Sequence, residues 1–166
     1  MYNSIESFIK DFEHEQNSTI KYFNSISDEK LETVFHENIR TIGWLCWHIV
    51  VTVSEMFNES GFTIAGPEDR NVQPNNIAAM IMQYKSSCES VVAEVKNNWT
   101  DAMLTETITM YGRPWIKGNV LGNFLLHQAH HRGQLSTIMR FADLKVPGVF
   151  GPSKDEWIAW GQTSHK

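Results

Sequence analysis

The sequence predicts an all-α fold, a four-helix bundle with one long inter-helix loop and an irregular C-terminal tail. Four long stretches carry apolar residues at three- and four-residue steps, and the chain breakers fall between those stretches rather than inside them. The composition agrees: 42% of the 166 residues are apolar and only five are Pro, enough to close a core without disulfide or metal staples. That length suits one domain, expected over residues 1–166.

In the first stretch Ile5, Phe8, Ile9, Phe12, Ile20 and Phe23 form an apolar stripe, which predicts an amphipathic helix from about Ser4 to Ser25. Ser27-Asp28-Glu29-Lys30 reads as a helix start, with Ser27 as the cap of a short turn before a linker around Phe35 to Arg40. The second helix is expected from near Thr41 through Trp44, Leu45, His48, Ile49, Val51, Thr52 and Met56, stopping before Gly61. Its first half is apolar on most sides, so it belongs deep in the bundle.

Residues 61–74 hold two Gly, two Pro and no periodicity, and are expected to be a loop. The third helix follows from about Asn75 to Asn98, capped by Asn75 or Asn76, with Ile77, Met80, Ile81, Tyr84, Cys88, Val91, Val92 and Val95 as its stripe. Between Thr105 and Ile116, Thr105, Thr107, Thr109 and Tyr111 alternate with other residues ahead of Gly112-Arg113-Pro114, which predicts a short extended segment or hairpin. The fourth helix, about Lys117 to Leu144, carries Val120, Leu121, Phe124, Leu125, Leu135, Ile138, Met139 and Phe141. Pro147, Gly148, Gly151 and Pro152 are then expected to end regular structure.

Charge and targeting signals exclude several functions. The net charge of −5 comes from 19 acidic against 14 basic residues with no Lys/Arg cluster, so nucleic acid is not expected as a partner. Residues 1–12 lack the apolar core of a signal peptide, and no window approaches the roughly 18 apolar residues of a membrane span. A cytoplasmic protein with no membrane partner is expected. Cys46 and Cys88 each stand alone, outside any CxxC pair, and read as buried reduced thiols.

The chemistry concentrates in the histidines, seven in all, three of them within Leu126-His127-Gln128-Ala129-His130-His131. His127 and His131 are four apart on an apolar helix, which places their side chains about 40° apart in projection with Cβ atoms roughly 6 Å from each other. Two imidazoles so placed can converge on one divalent ion, and imidazole suits Zn, Ni, Fe or Cu. His48 is the candidate third ligand, because it lies mid-helix between Trp47 and Ile49, where an unpaired imidazole is costly. One HxxxH pair is a weak signal, and the spacing leaves two readings open: a metal triad, or satisfied core and surface histidines. His130 reads as half-exposed or as a donor behind a ligand, and His14, His36 and His165 as surface residues.

Other site types find no footing. No Glu stands three residues before any histidine, which disfavours a carboxylate di-iron bundle, and HExxH, GxSxG and GxxxxGK[ST] are absent. Cys46 lies about 200° round the helix from His48 and is excluded as a ligand. Trp44 shares the His48 face and is placed to wall a pocket. Glu55 reads as either a solvated carboxylate or an acceptor or base near the site, and Arg113 as a surface arginine or one facing an anionic substrate. Ala129 and Gly133, four apart, suit either close packing inside the bundle or a dimer seam.

Three segments together resemble the DinB/YfiT-like family, named for DNA-damage inducibility. They are His127-Gln128-Ala129-His130-His131-Arg132-Gly133-Gln134, the earlier Trp47-His48-Ile49, and the tail Val146-Pro147-Gly148-Val149-Phe150-Gly151-Pro152-Ser153-Lys154-Asp155-Glu156. The likeness spans essentially the whole chain. It implies an up-down-down-up four-helix bundle, often a homodimer, in which three histidines bind a metal; carried onto this sequence these are His48, His127 and His131. It also implies thiol-dependent transferases or isomerases that use low-molecular-weight thiols such as bacillithiol or mycothiol, alongside many members with no assigned reaction. The missing basic patch argues against reading the family name as DNA binding.

Three neutral imidazoles leave a divalent ion (Zn, Ni or Fe) its full charge and an open position, the arrangement of a catalytic site. The expected function is therefore a metal-dependent thiol S-transferase or hydrolase acting on a small molecule. The alternative is a non-catalytic, metal-stabilised stress-response or small-molecule-binding bundle, in which a fourth protein ligand closes the coordination sphere.

Overall fold

Each of the first three long helices starts where the sequence supplies a capping side chain. In the computed structural model, which describes residues 1–163, helix α1 spans Ile5–Phe23, and the Ser4 hydroxyl accepts from the Ser7 N–H. Helix α2 spans Ile42–Asn58, capped by Thr41, whose hydroxyl accepts from Trp44 N–H at 3.1 Å. Helix α3 spans Ile77–Asn98, capped by Asn76, whose Oδ1 accepts from Ala79 N–H at 2.8 Å. These three starts fall within two residues of the expected ones.

Strands β1 (Thr107–Met110) and β2 (Arg113–Ile116) form an antiparallel hairpin in which Thr107 faces Ile116 and Met110 faces Arg113. Tyr111 and Gly112 both take positive φ, +51° and +69°, the pattern of the two-residue turn whose twist matches the strands it joins. Helix α4, Lys117–Phe141, follows β2 directly and has no side-chain cap. Its start is held instead by Glu106, whose carbonyl accepts from Lys117 N–H at 3.0 Å and whose carboxylate meets Lys117 Nζ at 2.8 Å.

Three expectations need correction. Helix α4 ends at Phe141 rather than near Leu144: Asp143 adopts φ +59° and Leu144 N–H returns to the Met139 carbonyl at 3.0 Å, a left-handed closure that stops the helix. The tail is not irregular throughout, because Lys154–Ala159 forms a short helix α5. Its start is a capping box, Ser153 with Glu156, and the Pro and Gly before it only bring the chain to that box. Ser27 precedes a single 3-10 turn, Asp28–Lys30, and makes no side-chain cap bond there.

Helices α1 and α2 each pack on both α3 and α4. The core gathers aromatic rings from all four long helices: Phe124 of α4 lies edge-on to Phe12 of α1 and Phe57 of α2, with centroids 5.2 and 5.1 Å away. Phe23 and Tyr84 meet between α1 and α3. Cys46 and Cys88 are free and buried, as expected. Among the described residues no helix is long and apolar enough to cross a membrane.

Inside this apolar packing runs a polar seam carried by α4. Arg132 is buried and its guanidinium meets the buried Glu15 carboxylate at 2.6 Å and the Thr19 hydroxyl at 3.2 Å, both on α1. One turn earlier Gln128 is fully buried; its Nε2 donates to the Ile49 carbonyl of α2 at 3.2 Å and its Oε1 accepts from the Tyr84 hydroxyl of α3 at 3.4 Å. Two residues of one helix face thus tie α4 to the other three long helices. Gly133 lies outside this packing, since a Cβ there would meet no heavy atom within 4 Å, so the Ala129/Gly133 pair does not serve close packing within the chain at that position.

Arg132→Met leaves the Glu15 carboxylate buried without a partner and is expected to cost about 3–5 kcal/mol in urea denaturation. Replacing Glu15 and Arg132 together by apolar residues is expected to cost less than the single change, because no uncompensated charge is left inside.

Candidate metal centre

The face of α4 next to the polar seam carries the histidines. Residues 127 and 131 precede Gln128 and Arg132 by one position each, so once those two point inward the imidazoles lie about 100° round the helix, toward α2. On α2, His48 directly precedes Ile49, whose carbonyl Gln128 holds. The three rings meet there. His48 Nε2 is 3.0 Å from His131 Nε2, which is 3.2 Å from His127 Nε2. The His48, His127 and His131 nitrogens all lie within 4.8 Å of one another, and no other His, Cys, Asp or Glu among the described residues joins the group.

These residues fit a divalent ion. Nitrogens about 2.0–2.1 Å from a tetrahedral ion stand roughly 3.3–3.4 Å from each other; the two separations at His131 are within a few tenths of that, and the third is within 4.8 Å. The rings are also in the right protonation state. Burial, with the neighbouring imidazoles and Arg40 adding to it, lowers His48 to about 4. Burial and its neighbours His131 and His130 lower His127 to about 4 as well. His131 is lowered by burial too, against the opposing bond to Gln134. All three are neutral near pH 7 and offer lone pairs rather than charge.

Their support is unequal. His131 Nδ1 lies 2.8 Å from Gln134 Oε1; with that oxygen as acceptor the ring carries its proton on Nδ1 and turns the Nε2 lone pair into the group. The His48 ring stacks on Trp44, 12° from parallel with centroids 4.9 Å apart, and Trp44 carries the Arg40 guanidinium 3.9 Å from its own centroid. His127 Nδ1 is buried without a hydrogen-bond partner.

Trp44 therefore walls the site as its helical position suggested. His130 is exposed, with its ring centroid 4.8 Å from that of His131, and contributes no nitrogen to the group. His14 and His36 are exposed, and His165 lies outside the described residues. Glu55 engages Arg70 at 3.9 Å and the Tyr111 hydroxyl rather than a histidine, and Arg113 sits exposed on the hairpin. Cys46 is buried away from the group. Gln134 and Arg40 are site residues that the sequence reading does not include; the helical spacing of Gln134, three after His131, is a signal that could find it, whereas Arg40 lies in the linker ahead of the α2 cap and carries no such spacing.

Comparison with known proteins gives one consistent answer. The DinB family model matches residues 1–163. YrdA of Bacillus subtilis, an uncharacterized protein, is 32% identical over 166 residues, which is 100% of this chain and 99% of that one. The crystal structure of a DinB-like protein from Bacillus cereus superposes with a TM-score of 0.85 at 31% identity, covering 90% of this chain and 100% of the other. Alike along nearly its whole length in sequence and in fold, the chain belongs to the DinB family.

Proposed function

We propose that the protein binds a divalent metal ion through His48, His127 and His131 and uses it in thiol S-transfer or hydrolysis on a small molecule. The convergence of three neutral Nε2 atoms, with no further His, Cys, Asp or Glu joining them among the described residues, carries this reading. A closed structural sphere would need a fourth donor, and none of the described residues supplies one, which counts against the non-catalytic alternative. The wider proposal includes a single domain, the up-down-down-up bundle and a homodimer that binds neither nucleic acid nor membrane. The packing of α1 and α2 on both α3 and α4 supports the bundle, and the open face at Gly133 supports a seam between copies.

When bound, a Zn, Ni or Fe ion supplies Lewis-acid chemistry, lowering the pKa of a water or of a low-molecular-weight thiol brought to it. The protein's own share is positional. Gln134 fixes the His131 tautomer, Trp44 fixes the plane of the His48 ring, and Arg40 adds a positive charge at the edge of the site.

Elemental analysis of untagged protein is expected to find roughly one ion per chain, with His48→Ala and His131→Ala each losing it. Unchanged stoichiometry in either variant would falsify the ligand set. Turnover of a thiol with an electrophile panel, or of ester and amide panels, is expected to exceed the metal-free control; rates equal to that control in every panel would remove the enzymatic part. Gln134→Ala keeps all three ligands and is expected to weaken metal affinity by about 10–100-fold in chelator competition.

The lowered imidazoles also predict a pH dependence. His48 and His127 stand at about 4 in the folded protein against 6.5 when free, so between those values the unfolded chain binds more protons and the folded state loses stability as pH falls. Metal-free protein should show a lower urea midpoint at pH 5 than at pH 7. The slope should flatten in a variant with both histidines replaced by Ala.

A further inference from the structure

Next to the histidines, the linker ahead of α2, the first turn of α2 and the C-terminal half of α4 line an open cavity of about 350 Å³. Leu45 and Ile138, both buried, line it, and the exposed side chains of Ile39 and Phe141 complete its apolar wall. Arg40 is the one charged side chain in that wall, and Gln134 is one of its few polar ones. These two also touch the candidate metal centre. Gln134 Oε1 meets His131 Nδ1 at 2.8 Å, and Arg40 lies on Trp44, which lies on His48. The cavity and the histidine group thus share a boundary.

Arg40 is held but unspent. Among the described residues it enters no ion pair and no hydrogen bond, whereas Arg70, Arg132 and Arg140 each pair with a carboxylate. A guanidinium stacked on an indole keeps its N–H donors at its edge, in the plane that accepts a carboxylate in two-point fashion. With a net charge of −5 the molecule as a whole does not draw anions in, so any preference for one must be made locally. An apolar cavity of this size with one oriented polar anchor is the usual form of a small-molecule site.

We propose that this cavity binds the body of the substrate, and that the substrate is a small amphipathic anion. Its apolar part lies on Leu45, Ile138 and Phe141, and its carboxylate or similar oxyanion pairs with Arg40. The assignment of this ligand as substrate rests on the metal-site reading above, because the shared boundary at Gln134 and Arg40 is what presents it to the histidines. Binding in the cavity itself does not need the ion.

The test uses metal-free full-length protein with 4-phenylbutyrate, 4-phenylbutanol and butyrate as probes, their affinities read by calorimetry. Phenylbutyrate is expected to bind about tenfold or more tightly than either probe that lacks half of the pattern, the scale of one charge-assisted hydrogen bond. R40Q should bring phenylbutyrate down to the level of the alcohol. T137W, which fills the cavity from an exposed position on its rim, should weaken both aromatic probes with the circular dichroism spectrum unchanged. Equal binding of acid and alcohol, a preference that survives in R40Q, or no binding of phenylbutyrate at millimolar concentration overturns the proposal. Binding that T137W leaves untouched places the probe elsewhere and overturns it too. Because no ion is present, failure here leaves the three-histidine reading standing, and a protein that takes up no metal leaves this measurement readable.

Discussion

The buried pair of Glu15 and Arg132 is the constraint on which the rest of the molecule depends. An apolar helix face tolerates small rotations, since one hydrophobic side chain replaces another at modest cost. A buried guanidinium does not, because turning it away from its carboxylate strands two charges inside. Arg132 therefore fixes the rotation of α4 about its own axis, and Gln128, one turn away, fixes its height against α2 and α3 through the Ile49 carbonyl and the Tyr84 hydroxyl. His127 and His131 inherit both settings. Each precedes a locked residue by a single position, so the direction of the two imidazoles follows from a bond made elsewhere.

The site is assembled from rigid parts with no loop between them. Two of the histidines come from one helix and the third from another, and the Gln128 bond to Ile49 spans the two helices beside His48. Held this way, the Nε2 atoms of His48 and His127 lie 3.0 and 3.2 Å from that of His131, and burial lowers the pKa of the rings and so opposes charging them. An ion that bound the folded state alone would add stability that grows with the logarithm of its affinity.

Local signals were legible and long-range ones were not. Ser4, Thr41 and Asn76 announce three helix starts because each capping bond spans only three residues, and the hairpin shows as an alternation broken by Gly112. The His127/His131 pair is legible for the same reason, since helical geometry links residues four apart. Helix α5 was missed although Ser153 and Glu156 spell a capping box, because the Pro and Gly around them dominate the composition. Glu15 and Arg132 lie 117 residues apart and Gln128 and Ile49 lie 79 apart. No periodicity connects such positions, so the seam that aims the histidines appears only in the folded chain. His48 is legible as a candidate third ligand from its place mid-helix between Trp47 and Ile49, and the family likeness adds to that reading, but no spacing joins it to the other two.

The unequal support of the three rings assigns them different parts. His131 has its tautomer set by Gln134, and its Nε2 lies between those of the other two, so it is the fixed member of the group. His48 is held in its plane by an indole with its Nε2 toward the group, and no partner on its other nitrogen selects its tautomer. His127 has a buried Nδ1 with no acceptor at all. A neutral imidazole protonated on Nε2 turns that proton into the group and leaves Nδ1 as an unpartnered lone pair, whereas one protonated on Nδ1 would present the Nε2 lone pair to an ion and leave an N–H unsatisfied inside. His127 would therefore meet a cost on taking up an ion that His131, with Gln134 as acceptor, would not.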